Sequence, residues 1–182
     1  MACALVGVGS VGDCVPAEGG IIKSYGTVFS NITGVTITSG VISNFTMSST
    51  GLWEEFLYDL NATANFNQVN TLNGDRSTIE QTAFMSFKGI SEAQIAAANT
   101  SKDCCDLVFI HVLANGVRLV QGIERQAATG APTRTANRST RLVANVNTDI
   151  ATNSARVEYT LAGNSNTFTH TTTLSDSAIE AL

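Results

Sequence analysis

The hydrophobic residues between Asp106 and Arg125 form two apolar runs with a turn signal between them. This pattern predicts strands at Leu107–Leu113 and Val117–Ile123, joined across Ala114-Asn115-Gly116. Asn-Gly between apolar runs indicates a hairpin, because both residues tolerate the positive φ that a type I′ turn requires. Both faces of the first strand are apolar, so we expect this strand to be covered on both sides.

A longer hairpin is predicted over Asn61–Lys88, with its turn at Leu72-Asn73-Gly74-Asp75. Its return strand alternates between inward positions that are mostly apolar and outward positions that are mostly polar. The outgoing strand also has one face of threonine and asparagine. One face of this hairpin is therefore small, polar and nearly uncharged, which would suit a wall lining an aqueous channel. The inward positions of the return strand are Ile79, Gln81, Ala83, Met85 and Phe87, and Phe84 is the apolar exception among the outward ones.

Shorter patterns predict the other elements. Ser91–Cys104 is predicted to be a helix, with Ser91 as the N-cap and Gln94 completing a capping box. Leu52–Leu60 fits both a helical and a strand period, and we favour a strand because threonine and asparagine follow it. The remaining predicted strands are Ile21–Phe29, Val35–Thr38, Val41–Met47, Leu142–Ile150 and Arg156–Ala162.

The order of these elements predicts a single domain that is mainly β, within the α+β class. Residues 1–20 are rich in glycine and are expected to form an extended N-terminal arm. The domain itself is predicted over residues 21–162, with a long loop at 126–141. Residues 163–182 are expected to be a polar C-terminal tail, with a short helix at Ser175–Leu182.

Composition changes this picture by suggesting self-association. The chain has 182 residues and a net charge of −5, and only 14% of its residues are charged. A surface with so few charges is often covered by copies of the same protein, although a monomer with a Thr/Asn-rich surface is the alternative. The acidic balance argues against nucleic-acid binding, because affinity for phosphates comes mainly from clustered lysine and arginine.

Candidate chemistry is sparse. His111 lies in an apolar strand and is expected to be a hydrogen-bonded core residue, and no catalytic motif accompanies it. The Gly7-Val8-Gly9-Ser10-Val11-Gly12 segment spells G-x-G-x-x-G, but neither a strand before it nor a helix after it is predicted. The sequence therefore predicts no enzyme, cofactor or metal site.

The four cysteines fit neither a disulfide scaffold nor a zinc site by their spacing. Cys104 and Cys105 are expected to be a buried thiol pair, while Cys3 and Cys14 would either close a loop or contribute to a metal site. No segment approaches the roughly 20 apolar residues of a membrane span. The N-terminus lacks the basic region of a signal peptide, so synthesis in the cytoplasm is expected.

The sequence also resembles tail tube proteins in phages and prophages of Bacteroidetes-type hosts. The likeness spans roughly residues 1–125 and depends on the order and spacing of short pieces. Residues 126–151 depart from the family pattern, since they are longer and richer in arginine. The matching pieces are Met1-Ala2-Cys3-x-Leu5, Cys14, Gly19-Gly20-Ile21-x-Lys23, Glu80-Gln81-Thr82, Phe84–Lys88, Leu107–Val112, Asn115-Gly116, Leu119 and Gly122.

This resemblance implies a β-sandwich or half-barrel with one flanking helix. Subunits of such families form hexameric rings through their sheet edges, and the rings stack into a hollow tube that conducts DNA during ejection. It also implies a location in the virion tail, DNA only in transit, and contacts with a tape measure, terminator or sheath protein. On this view the bore is lined by Thr63, Asn65, Asn67, Thr78, Glu80 and Thr82, and contacts between subunits involve Arg125, Arg134, Arg138 and Arg141.

Two other classes of function remain open at the level of sequence. The chain could be another virion component, such as a tail terminator, a head–tail connector or a capsid decoration protein. It could also be a structural module outside a virion, such as an Hcp-like injection-system tube subunit or a secreted β-sandwich.

Overall fold

The structure is a computed structural model that describes residues 8–9, 20–58, 64–73, 76–104, 106–133, 140–149 and 154–182. The protein is mainly β, as its alternating patterns predict. Within the described residues, two α-helices and a 3-10 turn at Phe29–Asn31 accompany the strands. In chain order the elements are β1 (Val8–Gly9), β2 (Ile21–Val28), β3 (Ile32–Thr38), β4 (Val41–Met47), β5 (Glu54–Leu57), β6 (Asn65–Asn73), β7 (Arg76–Lys88), α1 (Glu92–Ser101), β8 (Leu107–Leu113), β9 (Arg118–Gln121), β10 (Arg141–Asp149), β11 (Ser154–Ser165), β12 (His170–Thr171) and α2 (Asp176–Glu180).

The strands form three sheets. The six-stranded sheet has the order β1-β5-β2-β8-β9-β12, the four-stranded sheet has the order β10-β11-β7-β6, and β3 and β4 form a two-stranded sheet. Neighbouring strands are antiparallel, except that β1 runs parallel to β5. The predicted hairpins appear as the pairs β8–β9 and β6–β7, and the segment around Leu52–Leu60 contains a strand, as we favoured.

Strand β8 lies between two hydrophobic clusters, so the prediction that both of its faces are covered is confirmed. Leu107 and Phe109 belong to the cluster that joins the six-stranded sheet to the four-stranded sheet and α1. Val108, Ile110 and Val112 belong to the cluster beneath β3, β4 and α2. The alternation along β8 therefore assigns each residue to its cluster.

The turn of the β8–β9 hairpin differs from the predicted type I′ geometry. Leu113 N donates to Val117 O at 2.8 Å, which closes a three-residue loop. Only Gly116 of the loop has a positive φ, at +82°, so the prediction that Asn115 shares this conformation is wrong. A three-residue loop with glycine in the left-handed position is the next most common hairpin connection. Strand β9 is also shorter than predicted, because Gly122 leaves the strand at a φ of +98°.

Helix α1 begins as predicted but ends three residues early. Ser91 Oγ accepts from Gln94 N at 3.2 Å, and Gln94 Oε1 accepts from Ser91 N at 2.9 Å, which confirms the capping box. The helix ends at Ser101. Cys104 follows as a buried, disulfide-bonded residue, so the expected free thiol at this position is wrong. Cys3, Cys14 and Cys105 lie outside the described residues.

The predicted polar tail is part of the fold. Strand β11 continues to Ser165, and Thr169, His170 and Thr172 are buried beyond it. These residues are polar by composition, but long-range hydrogen bonds hold them: Thr169 N donates to Gln68 Oε1 at 2.9 Å and Thr172 Oγ1 donates to the Ile42 carbonyl at 2.8 Å. The short helix expected near the C-terminus is present as α2, so two α-helices flank the sheets instead of one.

Ion pairs and one apolar side chain fasten α2 to the six-stranded sheet. Ile179 is fully buried against the sheet, and Arg118 donates to Asp176 at 2.7 Å. Lys23 Nζ lies 2.7 Å from the Glu55 carboxylate and 3.3 Å from that of Asp176. Burial opposes the charge of Lys23, but hydrogen bonds to Glu55, Tyr25 and Asp176 outweigh it and raise the pKa of Lys23. Burial likewise opposes the charge of Asp176, but Arg118 and Lys23 lower the pKa of that carboxyl.

Candidate functional surface

The four-stranded sheet turns one face toward the core and the other away from it. We call the second face the outer face. Alternation along the strands separates the two faces, because Ile79, Gln81 and Ala83 of β7 are buried while the residues between them are not. The outer face comprises Asn65, Asn67, Val69 and Thr71 of β6; Thr78, Glu80, Thr82, Phe84, Ser86 and Lys88 of β7; Arg156, Glu158, Thr160, Ala162 and Asn164 of β11; and Arg141, Val143, Asn145 and Asn147 of β10.

Five of the six residues predicted to line a bore lie together on this outer face. Asn65, Asn67, Glu80 and Thr82 are exposed, and Thr78 is half-buried. Asn67 lies opposite Thr82, and Glu80 lies opposite Val69, so these side chains form neighbouring rows. Thr63 lies outside the described residues.

Two of the four predicted inter-subunit arginines, Arg125 and Arg141, lie within the described residues, and they belong to different parts of the fold. Arg125 lies near the turn between β3 and β4, and its backbone N donates to Thr167 Oγ1 at 2.9 Å. Arg141 is the first residue of β10 and not the end of a loop, since it lies opposite Ala162 of β11. It therefore belongs to the outer face, in one row with Ala162, Thr82 and Asn67. Arg134 and Arg138 lie outside the described residues.

Reasoning from the sequence missed the half of the outer face that β10 and β11 supply. Their alternation was visible, because Val157, Tyr159 and Leu161 are apolar while Glu158 and Thr160 are not. The pairing of β11 with β7 was not visible, because the two strands are separated in sequence by α1, β8, β9 and β10. This pairing doubles the width of the polar face.

Both edge strands of the four-stranded sheet are open. Within the described residues, no strand pairs with the outer edge of β6 or with residues 143–149 of β10. Each edge strand is nine residues long. Each strand of the sheet is antiparallel to the next, so β6 and β10 run in opposite directions. Long open edges favour pairing with another chain, because their backbone N–H and C=O groups lack partners.

The hydrogen bonds at the strand ends show which residues direct their backbone groups outward. Leu142 N donates to Cys104 O at 3.2 Å, away from β11, so the even-numbered residues of β10 point outward. Gly89 N donates to Ala155 O at 2.8 Å, so the odd-numbered residues of β7 direct their backbone groups toward β11 and the even-numbered ones toward β6. The even-numbered residues of β7 lie opposite odd-numbered residues of β6, so the even-numbered residues of β6 direct their backbone groups outward. The Ala64 carbonyl, directly before β6, agrees, since it accepts from Ile21 N and not from β7. On both edges these residues have side chains on the core side of the sheet.

Four of the eight large apolar side chains that are exposed among the described residues lie on the same two edges. Val69 and Leu72 of β6 are 46% and 76% exposed, and Val143 and Val146 of β10 are 54% and 48% exposed. Each strand has one of these residues on the outer face and one on the core side. Solvent-exposed apolar residues at a strand edge are unfavourable for a monomer and are covered when another strand is added.

A buried polar network between the sheets is a second candidate site. Ser24 Oγ lies 2.7 Å from His111 Nδ1, and His111 Nε2 lies 2.9 Å from Gln121 Oε1. The Gln121 amide nitrogen donates to the Gln81 carbonyl at 3.2 Å, so its oxygen accepts from His111 Nε2–H and Ser24 donates to Nδ1. All of these side chains are buried, which leaves no access for a substrate. His111 is thus the hydrogen-bonded core residue that the sequence predicts.

No family model, curated protein or solved structure matches this chain in comparisons with known proteins. In the part of the chain that the structure describes, no group of His, Cys, Asp and Glu side chains is arranged to hold a metal ion. No helix among those residues is long and apolar enough to cross a membrane. The outer face and its two edges are therefore the features of the molecule that bear on its function.

Proposed function

We propose that this protein is the subunit of a phage tail tube, in which copies join edge to edge into hexameric rings that stack around a DNA conduit. The observation that carries the proposal is the four-stranded sheet with two open, matching edges. Joining β6 of one copy to β10 of the next continues the sheet, because the two strands run in opposite directions. Closing the ring leaves no free edge in the four-stranded sheet and covers the exposed valines of β6 and β10.

The outer face then becomes the wall of the bore. Most of its residues are uncharged, and its acids Glu80 and Glu158 accompany the bases Arg141, Arg156 and Lys88. Arg156 and Lys88 lie opposite one another at one end of the face, next to Glu158, so the wall is not a continuous cationic surface and would hold the phosphate backbone only weakly. This proposal places the protein in the virion tail, with further copies of itself as its main partner.

Replacing Asn70 with proline tests whether the β6 edge is the assembly site. The Asn70 N–H points outward and the residue is exposed, so proline removes a donor that the isolated subunit does not use within its sheet. We expect Asn70→Pro to leave the subunit folded and to abolish rings and tubes. Negative-stain microscopy and analytical ultracentrifugation would measure assembly, and circular dichroism would measure folding.

Asn70→Ala is the matched control, because it removes the same side chain but keeps the backbone N–H. We expect this variant to assemble like the unsubstituted chain. Assembly of a folded Asn70→Pro variant would show that β6 does not form the contact between subunits. An unsubstituted chain that stays monomeric at high concentration would contradict the tube itself.

Lysine substitutions on the outer face test whether this face lines the bore. The triple change Thr78→Lys, Glu80→Lys and Thr82→Lys places three cations on a strand that does not form a sheet edge. We expect tubes to form and to retain double-stranded DNA at low salt, with retention falling steeply as salt increases. Loss of assembly in this variant would place the face in a contact between subunits. Val117→Lys is a control for a cation placed away from the outer face, since Val117 is exposed in the β8–β9 loop region, and we expect its tubes not to retain DNA.

The same experiments distinguish the other classes of function. A decoration protein would stay monomeric or trimeric and would bind empty capsids. An Hcp-like subunit would form single rings or short stacks and would not extend into long tubes.

A further inference from the structure

The backbone and side-chain directions at the two open edges of the four-stranded sheet limit the register in which β6 of one copy can pair with β10 of the next. This inference rests on the ring proposed above. In an antiparallel pair, directly opposite residues have side chains on the same face. On β6 and on β10 the outward backbone groups belong to residues whose side chains face the core. When the outward backbone groups of the two edges face one another, the side chains of opposite residues therefore lie on the same face, as an antiparallel pair requires. A shift of one residue would break this match, so the possible registers differ by steps of two residues.

We propose that β6 of one copy pairs with β10 of the next along its full length, with Asn65 opposite Asp149 and Asn73 opposite Arg141. In this register the outward groups of Ala144, Val146 and Thr148 meet those of Asn70, Gln68 and Phe66, and no strand among the described residues pairs with these groups. Val69 and Val143 become diagonal neighbours on the outer face. Diagonal side chains on adjacent strands remain within reach of one another.

A shift of two residues in one direction places Val69 opposite Val143, which improves one apolar contact. It also places Thr148 opposite Ala64, whose carbonyl already accepts from Ile21 N at 3.1 Å. Leu142, whose N–H already donates to Cys104 O, lies opposite Asn70 in this register and opposite Leu72 in the full-length one, so it does not distinguish them. The shifted register therefore keeps two of the three fully available backbone pairs and gains an apolar contact that the full-length register largely keeps.

A shift in the other direction places Val69 opposite Asn147. Asn65 and Phe66 then extend past the end of β10, so the paired length is shorter. The shift also moves Val69 and Val143 beyond diagonal contact and leaves both exposed. The full-length register is thus the one that satisfies the backbone and covers the apolar side chains together.

Pairs of cysteines on the outer face test the register between β6 of one copy and β10 of the next. In this contact, opposite residues of the outer face are not joined by backbone hydrogen bonds, so their Cα atoms lie close together. Their Cα atoms lie about 4.5 Å apart, which suits a disulfide, whereas a position shifted by two residues lies about 7 Å away or more. We expect Val69→Cys with Asn145→Cys to cross-link copies at least about tenfold faster than Val69→Cys with Val143→Cys or with Asn147→Cys. The two cysteines of one chain lie on opposite edges of the sheet, more than about 14 Å apart, so each bond joins two copies.

Ring formation by each double variant is measured first by negative-stain microscopy, and cross-linking by non-reducing gel electrophoresis under mild oxidant. The single variants Val69→Cys and Asn145→Cys report any reaction with the native cysteines. Preferential cross-linking of either shifted pair would overturn the register, as would rings in which no pair reacts. Absence of rings in the unsubstituted chain would instead contradict the proposed tube.

Discussion

Gly122→Ala is expected to lower the free energy of unfolding by more than about 4 kcal/mol, whereas Gly116→Ala lowers it by about 1 kcal/mol. Both glycines have a positive φ, at +98° and +82°, so an alanine at either site adopts an unfavourable backbone conformation. They differ in the space around them. A Cβ at Gly122 would lie 2.2 Å from the Leu107 carbonyl oxygen, while nothing lies within 4 Å of one at Gly116.

The pair therefore separates backbone strain from steric overlap within one hairpin. Because Leu107 O and Val108 Cα are backbone atoms of the central strand, they cannot move aside without disturbing both hydrophobic clusters. Urea unfolding followed by circular dichroism would measure both variants, and recovery of Gly122→Ala only from the insoluble fraction would agree with the expectation. Equal losses of stability in the two variants would show that Gly122 does not approach β8 so closely.

Acid is expected to destabilise the protein by about 3 kcal/mol through His111 between pH 6.5 and pH 4. Burial lowers the pKa of His111 to about 4, although the hydrogen bond with Gln121 acts in the opposite direction. The unfolded chain binds a proton near pH 6.5, while the folded chain does not until about pH 4. The contribution of the neutral histidine is therefore fully present above pH 6.5 and is lost as the pH falls toward 4.

The comparison that isolates this effect is the pH dependence of unfolding in the unsubstituted chain and in His111→Gln. Titration of the carboxylates, and of His170, whose pKa burial also lowers, is common to both proteins and cancels in the difference. We expect the unsubstituted chain to lose about 3 kcal/mol relative to His111→Gln as the pH falls from 7 to 4. Parallel stability curves for the two proteins would show that His111 is accessible to protons in the folded state.

Local patterns predicted the elements that depend on neighbouring residues. The capping box at Ser91 and Gln94 formed as predicted, because its two hydrogen bonds join residues three positions apart. The alternation along Leu107–Leu113 placed each side chain in the right cluster, because successive side chains of a strand point to opposite faces. The long hairpin was predicted for the same reason, and its polar face was recognised from the threonines and asparagines.

The wrong predictions concern partners that are far away in sequence. The segment after Ala162 looked like a polar tail because it is rich in threonine, yet Gln68 and Ile42 supply hydrogen bonds that let it be buried. The turn at Asn115-Gly116 looked like type I′, but the pairing of β8 with β9 requires a three-residue loop. Arg141 was assigned to a loop, and its position in β10 depends on pairing with Ala162.

The sequence by itself determined that this protein is mainly β, where its principal hairpins lie, and that one of them has a small polar face. Periodicity and capping are properties of short segments, so they can be read without knowledge of the fold. Only the tertiary structure decided that β11 joins β7, that the polar face extends across β10, and that β6 and β10 remain as matching open edges. These features depend on the pairing of strands that are far apart in sequence. That pairing is set by how the two larger sheets bury their apolar faces against one another, which no short segment reveals.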